Sequence, residues 1–208
     1  MQSLSSGIVP RWEPDAVGRL QAAAFELFAE QGFERTTVAE ITQRAGLTER
    51  TFFNHFADKR EVLFGPVSEL QREIVAREIA SCPGQLAPLD AVVRGLQAAA
   101  DEMFEARRDA VVRRREIIDA NPELQERELA KRAALTDAIA AALGARGADP
   151  DTALLVARAG VVVQQTAMQR WTRPAEKRPP RELLAEALLS LRAIAAHAPD
   201  QRTVASGT

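Results

Sequence analysis

Thr36-Thr37-Val38-Ala39-Glu40-Ile41-Thr42-Gln43-Arg44-Ala45-Gly46-Leu47-Thr48-Glu49-Arg50-Thr51-Phe52-Phe53-Asn54-His55-Phe56 is the stretch on which the fold turns. Thr37 and Glu40 stand at capping-box spacing. The Thr hydroxyl takes an orphan backbone N–H of the first turn while the Glu reaches back, which opens a short helix running to Ala45. Gly46, free to adopt left-handed dihedrals, ends it. Leu47 is expected as a buried turn residue, and Thr48 caps a third short helix reaching about Phe56. Two short helices crossing steeply need a small residue at the contact, a glycine in the turn and apolar anchors on both sides. Val38, Ile41, Ala45, Gly46, Leu47, Phe52 and Phe56 supply them. What remains, Thr48, Glu49, Arg50, Thr51, Phe53, Asn54 and His55, is the outward set of a helix-turn-helix.

Outward from this stretch the chain reads as helix throughout. Val17, Leu20, Ala24, Leu27 and Phe28 recur at helical spacing between Asp15 and Gln31, and Gly32 stops that helix. Asp58 caps a fourth helix carrying Val62, Leu63, Val67, Leu70 and Ile74. The Cys82-Pro83-Gly84 cluster and Pro88 read as the main internal boundary. Beyond it come helices over 89–104, 111–119, 122–145, 149–171 and 181–197, separated by Asn121-Pro122, Gly144 to Gly147 and a proline-rich basic loop from Arg173 to Pro180. No repeat of about 20 to 50 residues is present, so a solenoid is disfavoured. The expected fold is all-α. An arm at 1–14 precedes a helix-turn-helix domain at 15–60, a larger helical ligand-binding and dimerisation domain at 61–197, and a disordered tail at 198–208.

Composition narrows the function classes. The net charge is −2, and up to Arg60 seven bases stand against eight acids, so a DNA-binding case must rest on geometry rather than on a basic footprint. A single cysteine, Cys82, allows neither an intramolecular disulfide nor a thiol metal cage, and no metal or cofactor is implied. The longest apolar segment, Leu154 to Trp171, is interrupted by Arg158, Gln164 and Gln165, and the first ten residues lack the pattern of a secretory signal, so a cytoplasmic protein without membrane contact is expected. Two isolated histidines, no His-Glu-x-x-His and no Gly-rich phosphate loop argue against an enzyme.

The residues also resemble the TetR family of bacterial regulators, whose pattern runs Phe-Ala-x-x-Gly-Phe, Thr-Thr-Val-x-x-Ile, Ala-Gly-Val-Ser and Thr-Phe-Tyr-x-His-Phe-x-x-Lys. Here the matching positions are Phe28, Ala29, Gly32 and Phe33; Thr36, Thr37, Val38 and Ile41; Ala45, Gly46, Leu47 and Thr48; and Thr51, Phe52, Phe53, His55, Phe56 and Lys59. Thr42 stands where the family usually has Ala, Phe53 where it has a phosphate-bonding Tyr, and Arg50 where Gly is frequent. The resemblance implies a homodimeric, ligand-responsive repressor that binds a palindromic operator in double-stranded DNA. It assigns Thr37, Thr48, Phe53, His55 and Lys59 to the phosphate backbone, and Glu49, Arg50, Thr51 and Asn54 to the major groove. The chemistry suits the assignment, since Arg bonds guanine, Asn bonds adenine and Glu accepts from cytosine. Arg44, near the end of the second helix, is a further phosphate candidate. The segment Arg113 to Ala142, with Ile117, Ile118, Asn121, Pro122, Leu124 and Arg127, looks like the C-terminal domain of the mycofactocin-type branch of the family.

Two further sites are expected in the C-terminal part. Arg107, Arg108, Arg113, Arg114 and Arg115 form the densest basic run. Such runs are commonly a solvated face. The sharper reading is an effector cavity lined by Met103, Phe104, Ile117, Met168 and Trp171, in which Arg107, Arg113 or Arg114 turns inward to pair with an acidic headgroup of an unidentified small molecule. The last two long helices are apolar over an arc wider than one packing layer needs, which predicts a four-helix dimer interface with Val161, Gln165, Leu184, Leu188 and Leu191 at its centre. The competing reading is a helical protein-interaction module that keeps the motif without selecting DNA.

Overall fold

The computed structural model describes residues 15–104 and 107–196. The expected arm at 1–14, the tail at 198–208, and residue 197 as the end of the last helix lie outside the described residues. Among the described residues the chain forms helices α1 (Ala16–Gln31), α2 (Val38–Ala45), α3 (Glu49–His55), α4 (Glu61–Ser81), α5 (Pro88–Met103), α6 (Arg108–Asp119), α7 (Pro122–Ala145), α8 (Pro150–Trp171) and α9 (Pro180–Ala196), and no strand. None of these helices is long and apolar enough to cross a membrane. The chain divides into two compact units, the first ending at Leu63 and the second beginning at Phe64.

In the N-terminal unit α1 starts at Asp15, whose carboxylate accepts the Gly18 N–H, and buries Leu20, Ala23, Ala24, Leu27 and Phe28. Its two partners, α2 and α3, are too short to persist alone. They hold because Ile41, Ala45, Phe52 and Phe56 are buried with the apolar face of α1. Leu47, expected to be buried, is half-buried at the turn.

In the C-terminal unit Ile74, Val75 and Ile79 of α4 share one core with Val92, Val93, Leu96 and Met103 of α5, Leu135, Ile139 and Leu143 of α7, Ala157, Val161 and Trp171 of α8, and Leu183, Leu184 and Leu188 of α9. Gly95 allows the close approach of α5 to α4, because a Cβ there would lie 2.9 Å from the Val75 carbonyl oxygen. The Cys82–Pro88 segment is therefore a turn inside this unit, not the main boundary that its Pro and Gly content suggested. Arg146, just past α7, secures that turn by donating to the carbonyls of Ile79 (2.9 Å), Cys82 (2.5 Å) and Pro83 (2.8 Å). The break that accompanies the change of unit lies inside α4, where Gly65 leaves helical geometry (φ −20°, ψ −123°) directly before Pro66. Proline removes a helical N–H and disfavours the helical region for its predecessor, so a Gly-Pro pair interrupts a helix even where the apolar spacing continues through it.

Candidate nucleic-acid interface

The capping box read from the sequence is fully formed. Glu40 Oε2 accepts from the Thr37 N–H and the Thr37 hydroxyl, each at 2.8 Å, and the Glu40 N–H donates back to the Thr37 hydroxyl at 3.2 Å. The Thr37 N–H and hydroxyl, with a further bond from Gln31, hold the Glu40 carboxyl below its ordinary range despite slight desolvation. Gly46 closes α2 at φ 65°, ψ 34°, a left-handed conformation that a β-carbon would strain. Thr48 then caps α3 by accepting the Thr51 N–H at 3.1 Å, and its hydroxyl lies 2.9 Å from that of Thr51.

Adjacent residues of α3 have opposite fates. Phe52 is fully buried and Phe56 nearly so, with ring centroids 5.2 Å apart, whereas Phe53 is 54% exposed. Glu49, Arg50, Asn54 and His55 share the exposed side, and Thr51 is half-buried. The side chains of Glu49, Arg50 and Asn54 make no hydrogen bond or ion pair among the described residues. Among the described residues the other Arg and Lys side chains of this unit are occupied. Arg19 Nη2 donates to the Ala45 carbonyl at 2.6 Å, a contact at the C-terminal end of α2 that sequence reasoning missed because the partner is a main-chain oxygen 26 residues away. Arg35 donates to the Gln31 carbonyl (2.7 Å) and Arg60 bonds the Asp58 carboxylate (2.7 Å).

Two expected phosphate contacts are engaged within the protein. Arg44 forms a two-pronged pair with Glu30 (2.9 and 2.8 Å) and a longer bond to Glu26 (3.4 Å), which lowers the Glu30 carboxyl and raises the guanidinium further above its ordinary range. Lys59 donates to the Phe33 carbonyl at 2.7 Å with its ammonium 4.1 Å from the centre of the Phe33 ring. Both places are set by tertiary partners on α1 and in the loop after it, which the local motif does not reveal. Thr37 and Thr48 serve as caps, and Thr48, Glu49, Arg50, Phe53, Asn54 and His55 are brought together on one exposed helix.

Residues 20–64 match the family of bacterial regulatory proteins called the tetR family. The chain carries a TetR-family N-terminal domain. That domain is 45% identical over 53 residues to the HTH-type transcriptional regulator TcmR of Streptomyces glaucescens, a stretch covering 26% of this chain and 24% of TcmR, so the match spans about a quarter of that relative's length. Over most of the chain the TetR-family fold recurs in Thermus thermophilus FadR, a transcriptional repressor solved with lauroyl-CoA. It is 25% identical, covering 92% of this chain and 100% of that one at a TM-score of 0.51. The fold recurs also in SmeT, the repressor of the Stenotrophomonas maltophilia multidrug efflux pump SmeDEF, at 23% identity, 85% and 89% coverage and a TM-score of 0.51.

In the C-terminal unit the residues expected around an effector are partly assembled. Met103 and Trp171 are buried in one cluster, with Phe104 and Met168 packed against it. Ile117 is half-buried, and Arg107 and Arg113 are exposed. Arg114 does turn inward, but its partner is the protein's own Glu128 at 2.7 Å, with the two side chains 26% and 21% exposed, and its guanidinium lies 4.8 Å from the Phe64 ring. Burial alone would raise the Glu128 carboxyl. Arg114 and Arg132 outweigh it and hold the group below its ordinary value. Nor is the basic run a plain solvated face. Arg108 donates to the carbonyls of Trp171 (2.8 Å) and Arg173 (2.9 Å) at the end of α8, and Arg115 pairs with Asp119 at 2.7 Å. Among the described residues no group of three His, Cys, Asp or Glu is placed to hold a metal ion.

The expected dimer residues need correction. Val161, Leu184 and Leu188 are buried within this chain's own core, Leu191 is half-buried, and only Gln165 is exposed. The large apolar side chains that α8 and α9 leave exposed are Leu155, Val162, Leu189 and Ile194. Where apolar residues cover most of a helix circumference, periodicity shows that two faces are buried without showing which one faces inward.

Proposed function

We propose that the chain is a homodimeric, ligand-responsive transcriptional repressor that binds a palindromic DNA operator through the exposed face of α3. The observation that carries this is Arg50 together with Asn54. Both stand on a helix clamped from behind by Phe52 and Phe56, and neither side chain has a partner among the described residues. Arg and Asn are the side chains that read guanine and adenine by paired hydrogen bonds in the major groove. Thr48, Glu49, Phe53 and His55 flank them. The capped starts of α2 and α3 offer main-chain N–H groups to phosphates, which offsets the lack of a basic surface.

Dimerisation follows from the second unit. Leu155, Val162 and Gln165 share one exposed stripe of α8, and Leu189 and Ile194 are exposed on α9. Pairing these helices with their copies covers apolar side chains that otherwise meet water. Two copies of α3 then address half-sites about one DNA turn apart. The C-terminal unit takes the effector and couples its binding to operator affinity. This reading places the protein in the cytoplasm and gives it no catalytic role.

Selection of preferred duplexes from a random pool tests it. The expected product is an inverted repeat bound with a steep salt dependence. Val162→Asp or Leu189→Asp is expected to yield monomers by light scattering and to lose the full palindrome while half-sites bind weakly. Absence of any sequence preference at low salt overturns the proposal in favour of a helical interaction module.

A further inference from the structure

Gln71 on α4 carries the one side-chain nitrogen among the described residues that is sealed from water without a hydrogen-bond partner. An amide N–H buried and unpaired is costly, and folded proteins rarely keep one without a use. Helical spacing sets Gln71 on the same side of α4 as Val67, Ile74 and Val75, all packed in or against the core cluster that also holds Met103, Phe104, Met168 and Trp171. Thioether and aromatic side chains adapt to an inserted apolar body more readily than branched ones. Two arginines of the α6 run that are held against protein are already engaged. Arg114 has Glu128, and Arg108 has the carbonyls of Trp171 and Arg173. A buried anion pairing with Arg114 would have to displace Glu128, and one without such a partner would remain unpaired, and both are unfavourable.

We propose that the C-terminal unit binds an uncharged, predominantly apolar molecule bearing a hydrogen-bond acceptor, and that the Gln71 amide donates to that acceptor. This rests on the reading of the unit as an effector domain and narrows its ligand away from the acidic headgroup that the arginine run suggested.

Three probes sharing one apolar body test it on the full-length protein by calorimetry: 2-acetylnaphthalene, 2-naphthoate and naphthalene. The ketone is expected to bind about tenfold tighter than either of the others, the worth of one hydrogen bond to a buried donor. Gln71→Leu is expected to erase the ketone's margin over naphthalene. The same variant, and Gln71→Met beside it, should melt without ligand at or above the temperature of the parent protein, because an apolar side chain of similar size removes an unpaired amide. Tightest binding by naphthoate overturns the proposal, as do a margin that survives Gln71→Leu and a lower melting temperature in both variants. Failure of the ketone to bind a protein that still selects a duplex overturns this inference alone. Ketone binding by a protein that selects no duplex overturns the regulator and leaves the ligand site standing.

Discussion

Helices α3 and α6 both present arginine, and they dispose of it in opposite ways. α6 opens the densest basic run of the chain, yet three of its four arginines are spent, Arg108 on carbonyls at the end of α8, Arg114 on Glu128 and Arg115 on Asp119, with Arg113 left on the exposed side. α3 has a single arginine, and it has no partner among the described residues. The same contrast runs inside the N-terminal unit, where Arg19, Arg35, Arg44, Lys59 and Arg60 are all engaged and Arg50 is not. Charge density thus marks where the fold uses most of its cations as struts, while an unspent cation beside an unspent Asn on a capped, exposed helix is the arrangement suited to a partner. Net charge is a poor guide for the same reason, since several bases of this acidic chain are paired with its own carboxylates, among them Arg44, Arg114 and Arg115.

The comparison is broken most forcefully at two neighbouring rings. Phe52→Ala is expected to destabilise the N-terminal unit by about 3 to 5 kcal/mol in urea unfolding, the usual cost of deleting a buried aromatic. Phe53→Ala should change stability by no more than about 0.5 kcal/mol and weaken operator binding instead. Equal losses in the two variants would show that α3 has no outward face. Next in size is the strut on the other side of the comparison. Glu128→Ala removes the carboxylate that Arg114 and Arg132 share and is expected to cost about 2 kcal/mol, below the fully buried case because both partners retain some solvent. Because the folded Glu128 carboxyl titrates below its ordinary value of 4.5, its contribution is complete above that pH and is lost as the pH falls through the folded value. The stability gap between the parent and Glu128→Gln should therefore narrow in acid and stay constant above neutrality. Arg50→Ala comes third. It should relax selection at one operator position by about tenfold while leaving the melting temperature unchanged, as expected of a base contact.

Much of the N-terminal unit was legible because its signals are local. Thr37, Glu40, Gly46 and Thr48 each dictate a cap or a turn within four residues, and the structure forms every one of them. The arginine clamps were not legible, since Arg19, Arg108 and Arg146 each meet main-chain oxygens 26 to 67 residues away and an acceptor of that kind carries no side-chain signature. The second unit was legible in helix number and extent, because Pro122, Pro150 and Pro180 each stand at a first helical turn. Its facing was not. Val161 and Val162 are adjacent and equally apolar, yet one is 6% exposed and the other 53%, so periodicity placed Val161, Leu184 and Leu188 at a dimer contact although they are buried within this chain's own core. The break at Gly65-Pro66 was visible in the letters but was overridden by the apolar spacing of Val62, Leu63 and Val67 across it.

Arg44 provides the smallest and most discriminating test. Its pair with Glu30 is well formed but lies at the surface, with side chains 38% and 55% exposed, and exposed pairs of this kind hold their partners weakly. A phosphate carries the same charge as a carboxylate and accepts the same fork of N–H groups, so Arg44 can leave Glu30 for DNA at little cost. Glu30→Gln weakens the internal competitor without touching α3. Affinity for all duplexes should then rise by roughly twofold, uniformly across sequences, with the same preferred operator. Arg50→Ala should do the reverse, altering which duplex is preferred. If Glu30→Gln leaves every affinity unchanged while Arg50→Ala still shifts the preference, Arg44 is a strut between α1 and α2 and belongs with Arg19 and Lys59 rather than with the reading face.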